Sequence, residues 1–400
     1  MKYRKFGSLD WEASALGWGC MRLPTRKKFF FFKEIDEPEA IKVIRHGIDN
    51  GINYVDTAYG YHQGKSEIIV GKALKDGYRE KVHLVTKLPI WKVKQPDDVI
   101  KYLKEQLDKL QTDYLDIYLV HAMNKGRFAK VKELDVLKKM EEAKESGLIK
   151  HIGFSFHDNV HVFKEIIDYY PWDMAQIQYN YMDTRNQATT EGLEYAASKG
   201  IAVVIMEPVR GGRLANPPKE VQDIFTSSHV KRTPVDWALQ FLWNKPGVSC
   251  VISGMSNMKQ LVENLESADN SGIDILSEKE NEVLEQVADV FRKAILIPCT
   301  DCKYCLEVCP SGVGIPSNFK MLNELSQSKN YKKWRKKYKN LAISEKSLND
   351  ARDNGMATLC TKCKSCIEQC PQDIDIPTEL EKVNEVLGEG KPIESVFPTE

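Results

Sequence analysis

Eight of the ten cysteines in this 400-residue sequence fall in two blocks, Cys299-x2-Cys302-x2-Cys305-x3-Cys309-Pro310 and Cys360-x2-Cys363-x2-Cys366-x3-Cys370-Pro371. Three thiolates so spaced can wrap three irons of a 4Fe-4S cubane, and the fourth cysteine, just before proline, reaches the other cluster in two-cluster proteins. Structural zinc, the competing ligand, uses paired Cys-x2-Cys units with a separate second pair. A matching tail follows each proline, Val313-Gly314-Ile315-Pro316 and Ile374-Asp375-Ile376-Pro377, so the blocks form an internal repeat. A reducing compartment keeps such thiols available as thiolates. Only Cys20 and Cys250 lie outside the blocks, and both read as buried strand residues.

A second group of side chains suits carbonyl reduction. That reaction needs a hydride donor, an acid for the growing alkoxide, and a neighbour that makes the acid stronger than an ordinary phenol. A lysine favours phenolate, a carboxylate holds the lysine, and a histidine orients the substrate oxygen. The stretch Asn53-Tyr54-Val55-Asp56-Thr57-Ala58, then Tyr61 five positions after Asp56, then Ser66-Glu67, resembles the strand-2 motif of the aldo-keto reductases. Lys87 in Val85-Thr86-Lys87 and His121 in Tyr118-Leu119-Val120-His121 match that family's strand-3 and strand-4 positions. The resemblance implies Asp56, Tyr61, Lys87 and His121 as a catalytic tetrad with Tyr61 as general acid. Tyr59 is a nearby competitor that falls short of the family spacing, and His62 is placed to line the pocket. Singly, Asp56 reads as a helix cap, Lys87 as a solvated loop lysine and His121 as a strand-end histidine. At three successive strand ends in family order, the joint reading is catalytic.

For the coenzyme, the resemblance implies that Ser155 and Gln176 bond the nicotinamide carboxamide and that Glu263-Asn264 contact adenine. Phe156 stands where many relatives have asparagine, and Met206 replaces the tyrosine that stacks on nicotinamide, although a methionine also packs on a ring. Gly254-Met255-Ser256-Asn257 lacks the family's cations for a 2′-phosphate and leaves Lys259 as the nearby positive charge, so NADP and NAD both stay open. Arg210 and Arg213, on the loop after strand 7, are placed to meet the pyrophosphate, with a surface position as the plainer reading of Arg213.

These residues need a scaffold. From Ile41 the chain alternates helical amphipathic stretches with short apolar runs, the pattern of β-α units around a parallel sheet. The expected strands are 15–21, 53–58, 83–88, 114–121, 152–156, 174–180, 202–207 and 249–254. Expected helices include 38–50, 96–109, 130–146, 160–169, 190–199 and 234–243. Eight strands predict an α/β fold, a (β/α)8 TIM barrel. A doubly wound sheet is disfavoured because Gly17 and Gly19 lack the third glycine of its dinucleotide fingerprint. Residues 2–11 read as a hairpin turning at Gly7-Ser8 that plugs the barrel bottom. Phe29 to Phe32, after strand 1, wall a pocket, receive the cluster module, or simply pack.

After about Ile297 the alternation stops, and helices are expected at 318–327, 331–340 and 346–354, the last ended by Gly355. The predicted domains are a barrel over 1–294, a smaller all-α iron-sulfur domain over 295–390 and a tail over 391–400. The second resembles an α-helical two-cluster ferredoxin. With 57 basic and 57 acidic residues the net charge is zero, which gives no field for nucleic acid or an anionic membrane. No leader or spanning segment is visible, so the expected location is cytoplasmic. The basic run 331–339 reads as a solvated helix face, or as a dock for an acidic redox partner protein.

The expected function is therefore an oxidoreductase that moves hydride between NADP or NAD and a small-molecule carbonyl or alcohol, with two 4Fe-4S clusters for electron transfer or structure. Clusters pass single electrons, so coupling them to nicotinamide calls for a converter such as flavin, and no flavin fingerprint is visible. The alternative is a cluster-based electron-transfer protein whose barrel binds flavin or another redox ligand. A scaffold with a residual tetrad is the third.

Overall fold

The computed structural model describes residues 1–29, 32–341 and 355–398. The chain divides into two compact units, Met1–Val209 with Arg232–Asn281, and Arg210–Lys231 with Glu282–Glu400.

Among the described residues, eight parallel strands of the first unit close into a barrel: β1 (Leu16–Gly19), β2 (Tyr54–Asp56), β3 (His83–Leu88), β4 (Leu115–Met123), β5 (Ile149–Phe156), β6 (Met174–Gln178), β7 (Ala202–Met206) and β8 (Val248–Ser253). Each strand pairs with the next in sequence, and β8 returns to β1 through Val251, Ile252 and Ser253 opposite Leu16, Gly17 and Trp18. Every residue of β4, β6 and β8 is buried, as expected of strands covered on both faces.

All eight expected strands are present, with ends shifted by a few residues. The N-terminal hairpin is also found: Tyr3–Lys5 pairs with Glu12–Ser14. Its Phe6 joins Tyr54, Val85, Ile117, Met174 and Val204 in one buried cluster, which plugs the barrel. Gly7 makes that approach possible, because it has φ 59 and a Cβ there would lie 2.5 Å from the Ala202 nitrogen.

The helix predicted over 130–146 is two helices, Lys125–Glu133 and Val136–Glu145. Asp135 breaks it with φ 47, and no glycine or proline marks the break in the sequence. Thr25–Phe29 and Phe32–Ile35 pair as a second hairpin. Of the phenylalanine run, Phe30 and Phe31 lie outside the described residues. Among the described residues, no helix is long and apolar enough to cross a membrane.

The second unit is helical, with Ile315–Ser328, Tyr331–Lys339 and Ile376–Val383 around a core that includes Phe319, Leu322, Tyr338, Leu380 and Val386. The helix expected over 346–354 lies outside the described residues. The two repeat tails each open a helix with proline in its first turn, where no backbone N–H is needed. Asn318 ties the repeats together: its Nδ2 donates to the carbonyls of Gly314 at 2.7 Å and Gly355 at 2.8 Å, and its Oδ1 accepts from the Ala357 N–H at 3.1 Å. Gly355 also bridges Val313, and a Cβ on it would lie 2.1 Å from the Gly312 oxygen. Gly355→Ala is therefore expected to destabilise the second unit by about 1–3 kcal/mol. Thermal denaturation followed by circular dichroism is the check, and an unshifted transition would contradict it.

Candidate active site and cluster module

The strand ends of the barrel bring the expected tetrad together. Lys87 Nζ, only 1% exposed, donates to both Asp56 oxygens at 2.7 and 2.8 Å, to the Thr57 carbonyl at 2.7 Å and to the Tyr61 hydroxyl at 3.5 Å. Burial pulls the Lys87 ammonium below its ordinary pKa and pushes the Asp56 carboxyl up, while their mutual attraction opposes both shifts. Gln176 Nε2 donates to Asp56 Oδ2 at 3.0 Å and fixes the carboxylate from the far side of the barrel. The His121 ring meets that of Tyr61 edge-on at 6.1 Å and lies 5.1 Å from Trp91. Burial holds His121 well below its ordinary pKa, so at neutral pH the ring is an uncharged hydrogen-bonding group.

Tyr61 itself is half-buried, on a turn where His62 and Gln63 take left-handed backbone angles, φ 51 and 57. Such strain persists only where the surroundings enforce it. Here the Leu23 N–H donates to His62 Nε2 at 3.1 Å, so His62 anchors the turn that carries Tyr61. Tyr59 points elsewhere. Its hydroxyl donates to Glu105 at 3.0 Å, and burial with that carboxylate pushes its pKa up to about 12. Tyr59→Phe is expected to change turnover less than about twofold and to cost ~1 kcal/mol of stability. Steady-state kinetics beside a denaturation curve would test this.

A polar layer behind Lys87 escaped the sequence reading. Gln106 Nε2 donates to Glu67 at 2.6 Å, to Thr86 at 3.1 Å and to the Lys87 carbonyl at 3.1 Å, while Tyr118 donates to Gln106 Oε1 at 2.7 Å. These bonds clamp β3 at the residue that carries the ammonium. The signal was present: Gln106 lies on the apolar face of Asp98–Leu110 with Val99, Leu103 and Leu110. A buried polar side chain at such a position requires partners.

For a coenzyme, the most informative atom is Gln176 Oε1, which is buried and has no hydrogen-bond partner in the structure. An acceptor left this way on a barrel strand fits a carboxamide N–H. Ser155 Oγ accepts from the Ala122 N–H at 2.7 Å and, as a hydroxyl, still has a proton to donate. Phe156 is fully buried and meets Phe163 of Val160–Tyr169 edge-on, 4.9 Å away, because the strand alternation turns it outward. Met206 ends β7 half-buried. At the expected adenine end, Asn264 Nδ2 is committed to Ser253 Oγ at 3.0 Å, while Glu263 is exposed and 3.7 Å from Lys259. Lys259 is not the sole cation there. The Arg22 stem lies across Gly254, whose missing side chain leaves room, and Ser256 Oγ donates to the Arg22 carbonyl at 3.0 Å. Arg210 is buried, and both it and Arg213 belong to the second unit.

In that unit the cysteines regroup across the blocks. One cavity is lined by Cys299, Cys302, Cys305 and Cys370, and another by Cys309, Cys360, Cys363 and Cys366. Among the described residues, no three His, Cys, Asp or Glu side chains converge tightly enough for a single metal ion. Four sulfurs around a cavity suit a cubane and not one zinc. Burial pushes the Cys299 and Cys366 thiols up to about 11, so a metal centre is what would hold them as thiolates. The backbone N–H groups of Val313 and Lys362 point at the Cys309 and Cys360 sulfurs, each at 3.4 Å. Tyr331–Lys339 buries Trp334 and Tyr338 and exposes Lys332, Lys333, Lys336, Lys337 and Lys339.

A closed (β/α)8 barrel with a lysine-linked tyrosine at its strand ends, in one chain with a helical unit that carries two sets of four cysteines, defines a redox enzyme class. The family model described as "Aldo/keto reductase family" matches residues 15–287, and "4Fe-4S dicluster domain" matches residues 298–374. The uncharacterized oxidoreductase YqkF of Bacillus subtilis is 28% identical over 67% of this chain and 91% of its own. The NADH-specific methylglyoxal reductase of Escherichia coli is 30% identical over 54% of this chain and 69% of its own. Among solved structures, the holo form of aldo-keto reductase AKR11C1 from Bacillus halodurans superposes with TM-score 0.60 at 28% identity, covering 72% of this chain and 96% of that one. This chain belongs to the aldo/keto reductase family and carries a C-terminal 4Fe-4S dicluster domain.

Proposed function

We propose that the barrel reduces a small-molecule carbonyl with Tyr61 as general acid, and that the second unit binds two 4Fe-4S clusters. The observation that carries the first part is the Lys87 ammonium, held by Asp56 and 3.5 Å from the Tyr61 hydroxyl. Bound NAD(P)H would supply the hydride to the carbonyl carbon. Tyr61 gives its proton to the oxygen as the alkoxide forms, and Lys87 stabilises the phenolate left behind. His121, uncharged, orients the carbonyl oxygen. Gln176 and Ser155 hold the carboxamide, Met206 packs on the ring, and Glu263 and Asn264 border the adenine, where Arg22 and Lys259 offer cations to a 2′-phosphate. In reverse, the same groups accept the alcohol's proton.

The two cavities each bordered by four cysteines support the count of two clusters. Such clusters would carry single electrons. An acidic one-electron carrier suits the exposed lysines of Tyr331–Lys339 as a redox partner, a reducing cytoplasm suits the thiolates, and no nucleic acid is required.

The test is oxygen-free purification, iron and sulfide analysis, extraction of any bound flavin, and NAD(P)H oxidation with a panel of carbonyls. Coenzyme oxidation matched by alcohol formation is expected. If no carbonyl is reduced while the clusters cycle against a bound flavin, the barrel is an electron-transfer module instead.

A further inference from the structure

Arg213 follows the seventh barrel strand in sequence, yet its segment, Arg210–Lys231, folds with the second unit. There Arg213 lines a cavity of about 220 Å³ with Cys299, Thr300, Asp301, Lys320 and Glu324. Burial weakens its hold on the proton and the field of Cys299 strengthens it, but a guanidinium keeps its charge throughout the physiological range. The other cysteine set has no such neighbour in its cavity lining: Lys364 there is exposed, and nearby Lys362 is also exposed and paired with Glu381. Exposed, paired charges are screened by water and salt.

We propose that Arg213 tunes the cluster held by Cys299, Cys302, Cys305 and Cys370, making it easier to reduce, and leaves the other cluster unaffected. The proposal rests on the two-cluster reading above. Reduction takes one electron from a one-electron donor and adds one negative charge to the iron-sulfur core, with no bond broken and no proton moved. A half-buried cation that lines one cavity with a ligand cysteine stabilises the more negative state more.

An anaerobic redox titration of the full chain, followed by electron paramagnetic resonance, tests this. In Arg213→Gln the reduction of one cluster should become at least about tenfold less favourable, a fall of ~59 mV for a one-electron couple. The other cluster should stay within error, and Arg213→Lys should recover most of the loss. Asp301→Asn removes a negative charge at the same sulfur and should move the same step the opposite way. Its backbone has φ 59, an angle asparagine accepts, so the variant checks the field at that sulfur independently. Arg213→Met, which keeps the stem and removes the charge, decides the matter if Arg213→Gln does not fold. Unmoved steps, or two steps moving together, in variants with full iron and sulfide would overturn the role of Arg213. A wild-type sample without two reducible clusters would overturn the underlying reading instead.

Discussion

Replacing Tyr61 with phenylalanine is expected to lower kcat for carbonyl reduction by roughly 10² to 10⁴, the usual weight of one acid catalyst. The substitution removes only the oxygen that Lys87 Nζ faces at 3.5 Å, while Lys87 keeps its three bonds to Asp56 and Thr57. The edge-on contact with His121 is made by the ring, which phenylalanine retains. Coenzyme affinity and thermal stability should therefore change little. Single-turnover hydride transfer beside coenzyme titration is the measurement. If the rate stays within about threefold of wild type, Tyr61 is not the acid.

The second large effect concerns iron. Cys370→Ser is expected to remove about half of the iron, and the loss should come from the cavity lined by residues of the first block. Sequence proximity alone would put Cys370 with Cys360, Cys363 and Cys366. The structure instead lines one cavity with Cys299, Cys302, Cys305 and Cys370 and another with Cys309, Cys360, Cys363 and Cys366. Pairing the variants separates the two arrangements. Cys299→Ser with Cys370→Ser should lose no more iron than either alone, whereas Cys309→Ser with Cys370→Ser should lose nearly all of it. The opposite pattern would mean that each block fills its own site. Because metal ligation is coupled to local folding, the double loss should also lower the stability of the second unit while the barrel melts as before.

Much of this was legible because spacing encodes neighbourhood within one element. The step from Asp56 to Tyr61 reports a strand end and its turn, and the apolar runs report strands buried on both faces. What spacing does not encode is the far side of an interface. Gln106 sits four residues after Tyr102 on an ordinary amphipathic helix, and nothing local says that Thr86, Glu67 and Tyr118 converge on it. The break at Asp135 went unseen because an aspartate can take a left-handed angle without the glycine that normally announces one. The place of Arg213 after a strand suggests a phosphate contact or a surface residue, and spacing is silent on the unit with which it packs. Its segment's membership of the second unit depends on packing partners some eighty residues downstream, such as Cys299 and Thr300.

The crossed sharing of cysteines also bears on how the protein is made. A ribosome that has extruded the first block has delivered three sulfurs for one centre and a single one for the other. Neither centre has a full set of donors until the second block emerges, one being completed at Cys366 and the other at Cys370, so iron loading becomes a late event in biogenesis, and a nascent chain stalled before the second block would carry thiols that no cluster can yet protect from oxygen.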